Sequence, residues 1–244
     1  MSKDFFSKEE FQERWKKVRS SMKKFNIDLL MVISPTNINY LIGTPAKGYQ
    51  EFEVLFFSID SDPSVMFTRR SEVEMMHDYS LADEVYGWGG QESEDPIEAL
   101  NKLMIEKKFL NKRIGIEVPY YYLHPFEYKK ITEMLGPAIV HDSTDLIGEI
   151  KLLKSEAELN YVRKASDIAD KSFIAGLNKI ESGITEREVS AAIHYEMFTN
   201  GGDIPSSPMN FLTGNRSMYA HGEPSDRKLQ IGDFMHLQFG SHYK

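Results

Sequence analysis

Apolar residues near the start of the chain recur on one helical face. Phe11, Trp15, Val18, Met22 and Phe25 are spaced by 4, 3, 4 and 3 residues. Ser7 precedes this run as a cap, Glu10 stands three residues further on, and Asn26 marks the stop. The aliphatic stretch Ile27–Ser34 is too short for a helix of that apolarity and reads as a strand, with Ser34-Pro35-Thr36-Asn37 as a turn. Further strands are predicted at Glu53–Asp60 and Ser64–Arg69, joined as a hairpin by Ser61-Asp62-Pro63. A short helix from Ser71 and a strand over Glu84–Trp88 follow. Asp95 then caps a helix that has Pro96 at its first position and Glu98 three residues beyond the cap. Arg113–Val118 reads as a strand, Pro125 opens a helix that stops at Gly136-Pro137, and Ala138–His141 is the next strand. Strands alternating with helices predict an α/β domain over residues 1–150, with a mixed or parallel sheet.

The pattern changes near residue 150. Ser155-Glu156-Ala157-Glu158 and Thr185-Glu186-Arg187-Glu188 are two capping boxes, each opening a long helix. Leu159, Val162, Ala169, Phe173, Leu177 and Ile180 are expected as the buried stripe of the first, and Val189, Ile193 and Met197 as that of the second. Asn200-Gly201-Gly202 ends the second helix, and a Pro/Gly-rich loop reaches Pro208. Two strands come last, Phe211–Leu212 through Tyr219–His221, and Phe234–Phe239. Residues 151–244 end on a strand with a free edge, the mark of an incomplete domain whose apolar faces would lie uncovered.

Composition narrows the classes of function. The 244 residues include no cysteine, which excludes a disulfide scaffold, a thiolate zinc site, an iron–sulfur cluster and a cysteine nucleophile. The formal net charge of −8 argues against a general nucleic-acid binder. The longest apolar run, Leu29-Leu30-Met31-Val32-Ile33, falls far short of the roughly 20 residues of a membrane span. Nothing at the N-terminus resembles a signal peptide. The expectation is a soluble cytoplasmic protein without nucleic-acid or membrane partners.

The densest polar cluster in a strand-like setting is Ser217-Met218-Tyr219-Ala220-His221-Gly222-Glu223-Pro224. A histidine such as His221 suits acid–base work, and Gly222 lets backbone or ligand approach closely. A surface histidine without a role is the competing reading. In the final strand Met235, Leu237 and Phe239 share one face, and Phe234, His236 and Gln238 the other. Polar groups at such positions face solvent or line a cavity, and the residues alone favour solvent. Gln is a poor metal ligand, so this strand is no evidence for a metal. Other candidates are weaker. His194-Tyr195-Glu196 places its polar groups on different sides of a helix. Tyr120-Tyr121-Tyr122 reads as a cap on the sheet edge, and Gly87-Trp88-Gly89-Gly90 lacks the Lys-Ser/Thr of a phosphate cradle. The charged face Glu13-Arg14-Trp15-Lys16-Lys17 with Lys23-Lys24 reads as solvated.

Several stretches form an ordered set: Asp28-Leu29-Leu30-Met31-Val32 with Asn39-Tyr40-Leu41-Ile42-Gly43, and Glu149-Ile150-Lys151-Leu152-Leu153-Lys154-Ser155-Glu156-Ala157-Glu158 with Arg163-Lys164-Ala165. Gly183-Ile184-Thr185-Glu186-Arg187-Glu188, the Thr213-Gly214…His221-Gly222 loop and Leu229-Gln230-Ile231-Gly232-Asp233 complete it. Taken in order, these stretches resemble the pita-bread superfamily of creatinase, prolidase, Xaa-Pro aminopeptidase and ectoine hydrolase. The resemblance covers nearly the whole chain. It implies an α/β N-terminal creatinase-like domain, residues 1–150, plus the first part of an α+β pita-bread catalytic domain, residues 151–244. It also implies a homodimer in which the N-terminal domain of one copy reaches over the site of the other, and a later His and two Glu beyond Lys244. Tyr49, Gln50 and Phe52 are candidates for that cover.

The resemblance sets His221 at an active-site histidine, the proton shuttle of creatinase-like members. It sets Gln238 where the metal-dependent members carry their first metal-binding Asp. A neutral amide cannot replace a bridging carboxylate without a large loss of metal affinity. The expectation is therefore a hydrolase that cleaves a C–N bond in a small polar, creatine- or ectoine-like compound without cofactor. His221 would be catalytic, Gln238, His236 and Tyr219 would bind substrate, and no residue would hold metal. The alternatives are a metal-dependent Xaa-Pro peptidase with a divalent metal pair, and a non-catalytic binding partner; as this fragment the chain could be inactive.

Overall fold

The computed structural model describes residues 4–44, 51–60, 64–90, 92–204 and 207–243. The chain forms two compact units, Met1–Leu153 and Lys154–Lys244. The predicted hairpin turn at Ser61-Asp62-Pro63 and the candidates Tyr49 and Gln50 lie outside the described residues.

In the first unit the elements run α1 (Lys8–Lys24), β1 (Leu29–Val32), α2 (Pro35–Ile42), β2 (Val54–Ser58), β3 (Val65–Arg69), α3 (Val73–Tyr79), β4 (Glu84–Trp88), α4 (Pro96–Glu106), β5 (Ile114–Ile116), α5 (Pro125–Leu135), β6 (Ile139–Asp142) and α6 (Leu146–Lys151). The six strands make one sheet in the order β4-β3-β2-β1-β5-β6. It is mixed: β1 is antiparallel to β2 and β2 to β3, while β3/β4, β1/β5 and β5/β6 are parallel. Strand alternation sends side chains to two cores. Leu29, Met31, Val54, Phe56, Val65 and Phe67 join Leu100, Met104 and Ile131 of α4 and α5 on one face. Leu30, Val32, Leu55, Phe57 and Met66 join Val18, Met22, Leu41 and Ile147 on the other. Both faces are covered, which is why the strands carry apolar residues in unbroken runs.

Three local expectations need correction. Residues 34–37 start α2 instead of turning, with Pro35 in its first turn. The buried Glu117 carboxylate satisfies this helix start by accepting from the Ile33 and Ser34 amides and from Asn37 Nδ2, each at 2.9 Å. Burial raises the Glu117 carboxyl to about 7, against the pull of these donors and of Lys151. Tyr120 and Tyr121 do not cap the sheet edge; they are 98% and 90% exposed, and of the three only Tyr122 packs on the core. Phe52, proposed as cover for a neighbouring site, is buried in the core with its ring against Phe67.

The second unit contains α7 (Glu156–Lys179), α8 (Glu186–Thr199), β7 (Asn210–Thr213) and β8 (Met235–Gln238). Both expected capping boxes form, Ser155 with Glu158 and Thr185 with Glu188. The buried side of α7 differs from the expected stripe: it is Ile168, Ser172 and Gly176. Val162, Phe173 and Leu177 are exposed. Small residues win the helix–helix contact because they permit close approach. A Cβ added at Gly176 would lie 2.6 Å from Ile193 Cγ1 on α8. Strand β7 is buried along its length and pairs antiparallel with β8, Asn210 opposite Gln238 and Leu212 opposite His236. Among the described residues no helix is long and apolar enough to cross a membrane.

Candidate functional site

The loop that carries His221 leaves β7 at Thr213, passes through a short 3-10 turn over Gly214–Met218, and returns along β7. Gly222 is its contact with the strand. The Phe211 amide donates to the Gly222 carbonyl at 3.2 Å, and the Gly222 amide donates to Asn210 Oδ1 at 3.0 Å. A Cβ on Gly222 would lie 2.4 Å from Leu212 Cδ2, so a larger residue there would have to displace the buried Leu212 side chain.

These contacts arrange the four candidate residues around the β7–β8 pair. His221 is exposed on the loop beside Gly222. His236 Nδ1 lies 3.3 Å from the Tyr219 carbonyl oxygen, which links strand to loop. Gln238 Oε1 accepts from Asn210 Nδ2 at 3.2 Å. Because Asn210 also holds the Gly222 amide, a relay Gln238–Asn210–Gly222 ends next to His221. Tyr219 is 58% exposed and Gln238 is exposed.

Beneath the loop lies a polar cluster that sequence reasoning missed. Glu186, fully buried in the first turn of α8, accepts from the Thr213 amide and hydroxyl, each at 2.8 Å. Its other oxygen accepts from the Ser225 amide at 2.9 Å, the Ser225 hydroxyl at 2.6 Å and the Arg216 guanidinium. Burial pushes the Glu186 carboxyl up, but the donors on Ser225 and Thr213 outweigh it and hold the group below its ordinary value. Alongside, Arg227 grips Asp233 through two bonds, at 2.6 and 2.8 Å, and donates to Thr213 Oγ1. The Arg227 guanidinium holds the Asp233 carboxyl below the usual carboxylate range. In the sequence Glu186 reads only as an acidic residue in a helix cap. Its partners stand 27 to 39 positions away, beyond any local spacing rule.

Fold and site together define an α/β domain followed by a capped helix pair with a pinned histidine loop, the class of the pita-bread enzymes. Residues 14–151 match the creatinase/prolidase N-terminal domain family, and residues 160–244 match metallopeptidase family M24. The chain belongs to the creatinase/prolidase family of the pita-bread superfamily. It is similar to the Xaa-Pro dipeptidase of Pyrococcus horikoshii, 28% identical over 245 residues that cover 95% of this chain and 61% of that protein. The Xaa-Pro dipeptidase of Pyrococcus furiosus is 27% identical, with 95% and 61% covered. Among solved structures, the Xaa-Pro dipeptidase of Bacillus anthracis superposes with a TM-score of 0.75 at 23% identity, covering 96% of this chain and 61% of that one. The X-Pro aminopeptidase of Thermotoga maritima gives 0.78 at 20% identity, with 94% and 61% covered. The chain thus spans about 61% of the length of these relatives.

The comparisons correct two expectations. The expectation of a creatine- or ectoine-like C–N hydrolase is overturned, because the relatives that match along the chain are Xaa-Pro dipeptidases. The expectation of no cofactor falls with it, because the matched family is one of metallopeptidases. Among the described residues no three His, Asp or Glu stand close enough to hold an ion. The side chain that the resemblance sets at the first ligand position, Gln238, is a neutral amide already bonded to Asn210.

Proposed function

We propose that this chain is the creatinase/prolidase N-terminal domain and part of the catalytic domain of a peptidase that hydrolyses Xaa-Pro dipeptides. The observation that carries this reading is the unbroken order of the two family matches, residues 14–151 and then 160–244, in a chain similar along 95% of its length to Xaa-Pro dipeptidases. His221 is read as the group that exchanges a proton with the substrate, and its exposure on a glycine-pinned loop suits that task. Tyr219, His236 and Gln238 are read as contacts to the substrate. Gln238 offers both a donor and an acceptor, and its Asn210 bond fixes which edge faces out. The proposal includes a cytoplasmic homodimer, which sedimentation reads as twice the chain mass.

Initial-rate hydrolysis of Ala-Pro and Ala-Ala by the natural enzyme tests the reading. Cleavage of Ala-Pro alone, lost on chelation and restored by a divalent metal, is the expected result. Equal cleavage of both peptides, or none of either in the presence of metal, would overturn it.

A further inference from the structure

We infer that Glu186 is the positioning residue of the His221 loop. It ties the two ends of the loop to one rigid helix start. Thr213 is the last residue before the loop, Ser225 the first after it, and Arg216 lies within it; all three donate to the same carboxylate. Arg216 extends the clamp, donating from Nη2 to the Glu223 carbonyl at 2.9 Å and from Nη1 to Ser225 Oγ at 2.5 Å. His221 lies inside this closed stretch, and Gly222 supplies the third fixed point on β7. Helix capping does not account for Glu186. The N-terminus of α8 already has its reciprocal cap, with the Glu188 amide on Thr185 Oγ1 at 3.2 Å and the Thr185 amide on Glu188 Oε2 at 2.9 Å. The hydrogen bonds of the Glu186 carboxylate run to the loop and its ends.

The chemistry requires a carboxylate. Five donors converge on two oxygens, and only an ionised acid presents acceptors in every direction. An amide in its place would turn an NH₂ toward the amide and hydroxyl donors of Thr213 or Ser225. A buried donor facing donors leaves bonds unmade, and the loop would open to regain them. Displacement of an acting group by about 1 Å is enough to cost on the order of 10²-fold in rate.

This inference rests on the reading of His221 as the acting group, so the experiment has two independent arms. Glu186→Gln and the milder Ser225→Ala are made in the natural enzyme. Amide hydrogen exchange is followed over residues 213–225 and over α8, and kcat and KM are measured on Ala-Pro. For Glu186→Gln we expect exchange at least about tenfold faster within 213–225 only. We expect kcat lower by about 10²-fold with KM nearly unchanged, and a smaller change of the same kind in Ser225→Ala. Exchange that rises equally along α8, or does not rise, would overturn the inference by making Glu186 a general stabiliser or a bystander. Faster exchange confined to the loop with kcat unchanged would also overturn it, since the loop would then position nothing that acts. If the unmodified enzyme leaves Ala-Pro intact, the proposed function fails instead. The exchange arm and the ¹⁵N ring shift of His221 then decide the inference: a shifted ring with local loosening upholds it, and an unmoved ring overturns it.

Discussion

The two units solve the problem of stability differently. In the first, a six-stranded sheet buries apolar side chains on both faces, and α1, α2 and α6 on one side and α4 and α5 on the other complete the cover. In the second, the buried apolar cluster is small, centred on Ile168, Val189, Ile193, Met197 and Phe211. There the fixed geometry around the histidine loop comes from Glu186, Arg216, Ser225, Arg227 and Asp233. Apolar burial is non-directional and holds a scaffold; converging hydrogen bonds are directional and hold a loop in one place. The difference matches the division of labour proposed here, with scaffold in one unit and chemistry in the other.

The largest expected effect contrasts the two kinds of position directly. Leu30→Ala, at a fully buried site in the first unit, should cost about 2–5 kcal/mol. Val162→Ala on α7, 56% exposed, should change stability by less than about 0.5 kcal/mol. Urea midpoints at constant m-value check both, and similar losses at the two sites would erase the contrast.

The next effect concerns charge inside the apolar unit. Burial raises the Glu53 carboxyl to about 7, helped by repulsion from Glu72 and opposed by a bond to Thr68. Among the described residues its Oε2 has no hydrogen-bond partner. A folded-state value above the ordinary 4.5 means that the folded chain holds the proton more tightly than the unfolded one. Stability is then fully present below about 4.5 and falls as pH rises toward about 7, by on the order of 3 kcal/mol at most. Glu53→Gln should abolish this part of the pH dependence and leave the variant more stable than the parent at pH 8. Melting curves from pH 4 to 8 measure it. The smallest effect is local: Ser155→Ala removes the acceptor for the Glu158 amide and should cost about 1 kcal/mol, read from thermal midpoints.

Legibility follows the same divide. The runs Leu29–Val32, Val54–Ser58 and Val65–Arg69 are apolar on both faces and stand out as strands. Caps at Ser7, Asp95, Ser155 and Thr185 act within three residues and are equally plain. The start of α2 reads as a turn in the sequence because its stabilising carboxylate, Glu117, comes from more than 80 positions away. The buried side of α7 differs from the expected stripe because helical spacing selects large apolar residues, whereas close contact with α8 selects Ser172 and Gly176. Among the candidate residues, His221 and Tyr219 stand out in a dense polar cluster, and His236 and Gln238 as polar groups on a largely apolar strand. The relay through Asn210 and the Glu186 clamp do not, since both join residues distant in sequence. The expectation of a creatine- or ectoine-like substrate rests on Gln238, a single neutral side chain, and the similarity to Xaa-Pro dipeptidases along the chain stands against it.

The central claim is that His221, held by its loop, acts on an Xaa-Pro substrate. The most direct measurement is kcat/KM for Ala-Pro in the natural enzyme and in His221→Ala, with hydrogen exchange confirming that β7, β8 and the loop keep their protection. The account predicts a loss of about 10²–10⁴-fold with unchanged protection. Turnover within a factor of about two of the parent, in a variant equally well folded, would contradict it.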